Sequence, residues 1–391
     1  MPHLPPGDPR DLVASTRDAF VAAYAAEPTV VGHAPGRVNL IGEHTDYNGG
    51  LCLPVALPHR TYVAAAPRGD SRVRIASRQL PDAWEGTLDE VGPGAVPGWA
   101  AYAVGVLWAL RQTGVDVPGA DLFVDSTVPL GAGLSSSAAL ECAVAMAAMT
   151  LVGEPVTAER RQDLVTVCMQ AETEIAGAPT GGMDQTVSLL ALPDTALLID
   201  FTSGTSRAVL LGPDAPQLLV MDTSVSHTLN DGGYASRRRD CEEAARLLGL
   251  PTLRTATEGD LARLGEDRLV RRARHVVTEI VRVSETVDAV DVGSWATVGR
   301  LFGESHASLR DDFEVSCAEL DLAVEAAVGA GALGARLTGG GFGGSAIALV
   351  EAAGLDQVAE AVSAAFVAVG WTPPTTLVAT PSGPAEADSA P

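Results

Sequence analysis

One stretch, PLGAGLSSSAAL from Pro129, does most to limit what this chain can fold into. It lies between a short apolar run, DLFVDS at 121–126, and a long apolar segment from about Ser135 to Met149. The first reads as a strand and the second as a buried helix. Gly131 and Gly133 allow a tight turn between them and let backbone N–H groups approach an anion. The serines that follow fall at the helix N-terminus, where free N–H groups and the helix dipole favour phosphate. An ordinary capped helix would carry the same letters. A dinucleotide fold would want an acidic residue about 20 residues on, closing a second strand. That region instead holds Glu154 and Glu159, in or beside helices.

Charge narrows how phosphate can be held. The 391 residues include 26 basic and 49 acidic side chains, a net of -23, and every basic residue is arginine. Such a chain repels nucleic acid and anionic membrane, and 4% aromatic residues leave few platforms for base stacking. A lysine-free chain has no P-loop, Schiff-base or kinase strand lysine. Phosphate chemistry then rests on arginine, backbone N–H groups, helix N-termini or a metal ion.

No uncharged apolar run reaches the roughly 18 residues of a membrane helix, and MPHLPPGDPR lacks the basic and apolar regions of a signal peptide. Cys52, Cys142, Cys168, Cys241 and Cys317 are odd in number and widely spaced, with no CxxC pair. They read as reduced thiols of a cytoplasmic protein.

The periodicity predicts helices at 10–26, 99–112, 157–176 and 355–369, with several more between 234 and 329. Strands are expected at 29–33, 51–56, 61–66, 72–77, 217–222, 334–338, 345–350 and 374–379. Strands and helices are segregated rather than alternating, so the class is α+β. Two domains are expected, 1–205 and 206–380, with the junction in the Pro/Gly-marked stretch 203–216 and a disordered tail at 381–391. The arginine runs at 237–239 and 271–274 read as solvated helix faces.

Three further segments carry chemistry. GRVNLIGEHTDYNGG from Gly36 crowds Glu43, His44, Thr45, Asp46, Tyr47 and Asn48 behind an apolar strand. That is a set suited to several hydroxyls of a small polar ligand, or to a solvated turn. As metal ligands, Glu43, His44 and Asp46 lack helical spacing and a fourth partner. GGMDQ places Asp184 in a glycine turn, where it is either functional or a helix cap. LTGGGFGGSAIALV from Leu337 is a glycine-dense turn between strands, either a tight hairpin or a place where backbone packs on a ligand. His227, His275 and His306 have no metal-site spacing.

In this order the four segments resemble the GHMP small-molecule kinase superfamily and, within it, the galactokinase family. ESHASLRDDFEVSCAELD at 304–321 resembles a galactokinase segment as well, and the likeness runs from about residue 11 to 380. The resemblance implies an N-terminal ribosomal-S5-domain-2-like lobe, a C-terminal ferredoxin-like lobe and an active site between them. It implies a galactose site of Glu43, His44, Thr45 and Asp46, with a backbone contact from Gly182 and closure by Tyr234. Residues Gly131, Ala132, Gly133, Leu134, Ser135, Ser136 and Ser137 would hold the ATP phosphates, with Ser77 near the nucleotide. Ser137 and Glu172 would hold Mg²⁺. Ala235 departs from the family, which usually has Asn after this tyrosine.

The implied reaction passes the ATP γ-phosphoryl to the C1 hydroxyl of galactose, with Asp184 taking the proton and Arg37 beside it. A neighbouring-sugar kinase and a non-catalytic galactose and ATP sensor are the alternatives. The partners expected are galactose and ATP, and the chain is expected to be a monomer.

Overall fold

The computed structural model describes residues 3–226 and 230–389; His227 falls outside them. The first helix, Pro9–Tyr24, starts where Asp8 accepts the N–H groups of Arg10 and Asp11 and proline occupies the first turn. It ends at Ala25, which adopts a left-handed conformation. Beyond it a six-stranded sheet runs in the order Glu386–Ser389, Val30–Asn39, Pro54–Pro67, Ala120–Ser126, Arg72–Ser77 and Trp84–Thr87. Only the pairing of Arg72–Ser77 with Ala120–Ser126 is parallel.

The helix Ser136–Leu151 packs on this sheet with Ala100–Gln112 and Ala158–Gln170. It is buried from Ala138 through Met149, which explains its lack of a polar face. A small sheet of Leu51–Cys52, Thr195–Asp200 and Thr205–Leu210 lies alongside. Its last strand occupies the stretch expected as a linker.

In the second half, four antiparallel strands run in the order Gly334–Thr338, Gly343–Val350, Gln217–Ser226, Thr375–Val378. Helices separate the first of these in sequence from the second, a hairpin joins the second to the third, and a helix precedes the fourth. This is the ferredoxin-like arrangement. The α+β, two-lobed expectation therefore holds. One core joins the lobes: Val38, Leu40 and Leu53 pack with Val220, Val283, Phe302 and Ile347. Apolar contact of this kind fixes the two halves relative to each other.

Two expectations are corrected. The tail is ordered over its described residues, 381–389: Glu386–Ser389 pairs with the strand at 30–33. Arg60 donates to the carbonyls of Gly383 and Pro384, and Arg161 to that of Ala385, so backbone that would otherwise need water is satisfied by protein. Arg272 is not on a solvated face. It is buried and bonds the Asp312 carbonyl and Glu314. The five cysteines are free thiols, four of them buried. No helix among the described residues is long and apolar enough to cross a membrane.

Candidate active site

Arg37 leaves the strand Val30–Asn39 and Asp184 sits in the first turn of the helix Met183–Leu190. Arg37 Nε and Nη2 donate to Asp184 Oδ1 and Oδ2 at 2.7 and 2.9 Å, a bidentate fork. Its Nη1 donates to the Gly133 carbonyl at 2.7 Å, which ties the fork to the glycine loop. Burial would lower the Arg37 pKa, but Asp184, Glu43 and Asp46 together raise it, so the guanidinium is held charged. Ser135, in a left-handed conformation at the helix start, donates to Asp184 Oδ2 at 2.5 Å.

Arg37 and Asp184 line a cavity of about 230 Å³ with Glu43, His44, Asp46 and Tyr234. Glu43 is buried, and its Oε1 accepts from the Gly339 N–H at 2.8 Å and the Thr338 hydroxyl at 3.0 Å. His44 Nδ1 lies 2.9 Å from the Tyr47 hydroxyl and Nε2 3.2 Å from the Gly340 carbonyl. Burial pushes His44 down to about 3, so its ring is neutral near pH 7. The carbonyl can only accept; Nε2 therefore carries the proton and Nδ1 accepts from Tyr47. Asp46 is pushed up to about 6 by burial and by the charges of Asp184 and Glu43. Tyr234 closes one side, its ring centroid 5.3 Å from that of His44.

Ser137 Oγ donates to Glu172 Oε1 at 3.2 Å, joining the glycine-loop helix to a π-turn at Ala171–Ile175. π-turns often mark functional positions. Burial and the charge of Asp184 push Glu172 up to about 7. Glu141 is also pushed well above the carboxylate range, by burial and by Glu172, and its Oε1 has no partner. Gln185 Nε2 bridges the two, 2.9 Å from Glu141 and 2.6 Å from Glu172.

A hydroxyl and carboxyl groups that a cation would help to ionise suit Mg²⁺, a hard cation that keeps water and phosphate oxygens among its ligands. Among the described residues no three His, Cys, Asp or Glu side chains form a metal site by themselves. Substrate oxygens would therefore have to complete one.

A second cavity of about 320 Å³ opens beyond this pair, lined by Ser77, Gln79, Trp99, Tyr102, Ser136 and Ser137 among others. Gly131 and Gly133 have φ of 75° and 74°, the conformations expected of a tight phosphate turn. Ala132 and Leu134 point into the core, so this loop offers an anion its backbone rather than side chains.

The structure thus brings Arg37, Glu43, His44, Asp46, Tyr234 and Asp184 to one cavity, and Ser77, Ser136 and Ser137 to the other. Gly182, at φ 90°, caps the Asp184 helix between the lining residues Gly181 and Met183. Thr45 and residues 131–135 line neither cavity. The Thr45 side chain is fully buried and its hydroxyl is 2.9 and 2.6 Å from the carbonyls of Gly42 and Leu51, so it shapes the loop. Sequence reasoning missed Glu141, Gln79, Trp99 and Tyr102. Trp99 and Tyr102 carried a usable signal, two aromatics one helical turn apart in a chain poor in them.

A glycine loop at a helix N-terminus, facing a forked Arg–Asp pair in a cleft between two α+β lobes, defines a small-molecule kinase of the GHMP class. The models of the GHMP kinases N terminal domain and the GHMP kinases C terminal domain match residues 101–191 and 286–368. The galactokinase galactose-binding signature matches residues 18–67. The chain belongs to the galactokinase family. It is 47% identical over 373 residues to a galactokinase of Streptomyces coelicolor, spanning 93% of this chain and 96% of that one. It is 46% identical over 351 residues to a galactokinase of Mycobacterium tuberculosis, spanning 88% and 96%. The crystal structure of Lactococcus lactis galactokinase complexed with galactose superimposes with a TM-score of 0.90 at 31% identity, covering 96% of this chain and 99% of that one.

Proposed function

We propose that the cavity of Glu43, His44, Asp46 and Asp184 receives galactose and that the adjoining cavity of Ser77, Trp99 and Ser136 receives ATP. The reaction is transfer of the ATP γ-phosphoryl to the C1 hydroxyl of α-D-galactose, giving galactose 1-phosphate and ADP, the entry step of galactose breakdown by the Leloir route. The observation that carries the site assignment is the Arg37–Asp184 fork, which lines the first cavity and is tied through Arg37 to the glycine loop.

Phosphoryl transfer needs in-line positioning and charge neutralisation more than covalent help. Asp184 orients the C1 hydroxyl and takes its proton. Arg37 holds that carboxylate in its fork and stabilises charge that builds on the transferring group. The N–H groups of 131–137 and the helix start hold the phosphates, and Trp99 with Tyr102 flank the base. Ser137 and Glu172 would hold Mg²⁺, which would supply positive charge to neutralise the phosphates.

Sugar selection rests on hydroxyl contacts. A site built to bond one hydroxyl leaves buried polar groups unpaired when that hydroxyl is misplaced. Asp46 reads O3 and O4. Glu43 and His44 lie near O6; His44 already has partners on both ring nitrogens, so Glu43 Oε2 is the stronger contact. We place the protein in the cytoplasm, in keeping with its free thiols, and take it to be a monomer on the family resemblance.

A coupled ADP-release assay over galactose, glucose, N-acetylgalactosamine and arabinose tests this reading. Turnover is expected with galactose and little with glucose. Preference for another sugar would redirect the assignment, and binding without turnover would make the protein a sensor. Glu43→Gln is expected to raise KM for galactose, and an unchanged value would remove Glu43 from the sugar site.

A further inference from the structure

The sugar cavity does not account for four buried polar side chains that lie behind it. His275 and Glu279 stand one turn apart on the helix Asp267–Asp291, and both are wholly buried. Ser305 and Ser308 stand three residues apart on the neighbouring helix Trp295–Asp311, inside the 304–321 segment. Residues at these spacings share one helix face.

The two pairs meet bond for bond. Ser305 Oγ donates to Glu279 Oε1 at 2.7 Å, and Ser308 Oγ lies 3.0 Å from His275 Nδ1. On the other side the Gly42 N–H donates to the same Glu279 oxygen at 3.0 Å, and His275 Nε2 lies 3.1 Å from the Glu43 carbonyl.

The direction of each link follows. The Glu43 carbonyl accepts, so His275 Nε2 carries the proton. Burial pushes His275 down to about 4, leaving a neutral ring whose Nδ1 must accept from Ser308. Glu279 is ionised: burial would raise it, but Arg282 above all, with His275 and Arg336, holds it at about 2. Arg282 donates to Glu279 Oε2 at 2.7 Å. Arg336 donates to the carbonyls of Asn39 and Leu40, which lead into the same loop.

The loop needs such support. Gly42 has φ of 101°, and a Cβ there would meet the Leu51 carbonyl at 2.5 Å. His44 follows at φ 61°, a conformation that side-chain-bearing residues rarely adopt. Bonds from outside the loop hold it in this shape.

We propose that Ser305 and Ser308, acting through Glu279 and His275, are positioning residues for the sugar: they fix the Gly42–His44 backbone and so aim the Glu43 carboxylate and the His44 ring into the cavity. The inference rests on the galactose-site reading above and adds to it a second layer of specificity.

The test is steady-state kinetics of Ser305→Ala/Ser308→Ala, with Ser308→Ala alone as the milder variant should the pair fail to fold. KM for galactose is expected to rise about tenfold while KM for ATP stays within about twofold. A general packing role would instead leave both constants unchanged or degrade them together, and either result overturns the inference. Glu43→Gln separates the two levels. If it raises KM for galactose and the serine variants do not, the positioning inference alone fails. If neither changes it, the sugar-site reading has failed first.

Discussion

Arg37 holds both oxygens of Asp184 and, with its third nitrogen, the carbonyl of Gly133. One guanidinium therefore couples the proposed proton acceptor to the glycine loop. Asp184→Asn keeps the size of the side chain but removes the charge and the proton-accepting oxygen. It is expected to lower kcat by about 10²–10⁴-fold with the fold intact. Arg37→Lys is not a mild change, because an ammonium cannot reproduce the fork. A purified, folded Asp184→Asn protein with near wild-type kcat would exclude both roles for this carboxylate.

The raised pKa of Asp46 has a visible pH signature. Asp46 is a carboxylate, able to accept hydroxyls, above about pH 6 and a protonated acid below it. In the free enzyme kcat/KM for galactose should therefore fall as pH drops through about 6, and Asp46→Asn should lose that limb along with most activity. Stability runs the other way. A carboxyl whose folded pKa lies above its unfolded one contributes stability at low pH that is lost as pH rises through about 6. Asp46→Asn should thus gain Tm relative to wild type at pH 7.5 and not at pH 4, as thermal melts at the two pH values will show.

Metal dependence should be steep. With a net charge of -23 and no lysine, positive potential at the phosphates must come from Arg37, backbone N–H groups and a cation. Excess EDTA is expected to abolish turnover and added Mg²⁺ to restore it. Glu172→Gln should shift the Mg²⁺ titration to higher concentration with little change in KM for galactose. Full activity in the chelator would remove the metal from the scheme.

Trp99 and Tyr102 line the cavity beside Ser136 and Ser137. If the base rests against them, Trp99→Ala should raise KM for ATP about tenfold, in the range of one lost base–aromatic stack. KM for galactose should stay near wild type. A change confined to galactose would place the nucleotide elsewhere.

Much of this could be read from the chain because the informative patterns were local. The glycine loop of 129–140, between an apolar strand and an apolar helix, encodes its own turn, and the polar run after Leu40 can only be a loop. What escaped depends on partners far away in sequence. Nothing in SGPAEADSAP suggests a strand; Arg60 and Arg161 anchor the carbonyls of 383–385 and Val30–His33 pairs with the residues that follow. Thr45 looks like a ligand contact until Gly42 and Leu51 turn their carbonyls to its hydroxyl. Arg272 sits in an arginine run that reads as solvated, and only the approach of Asp312 and Glu314 explains its burial. Glu141 is hidden in an apolar helix, where a lone acid carries no signal without Gln185 and Glu172 facing it.

The strand Glu386–Ser389 has a consequence for how the molecule is assembled. It closes the edge of the first sheet, yet His33 and its partner Asp388 are 355 residues apart in the chain. Contacts over such a span form later and more slowly than local ones. During synthesis the strand Val30–Asn39 must wait with an open edge while the whole second lobe emerges, and that edge is a site for wrong pairing. The two lobes are therefore bound into one cooperative unit by order of construction, and cutting the chain between them should yield a first half prone to self-association.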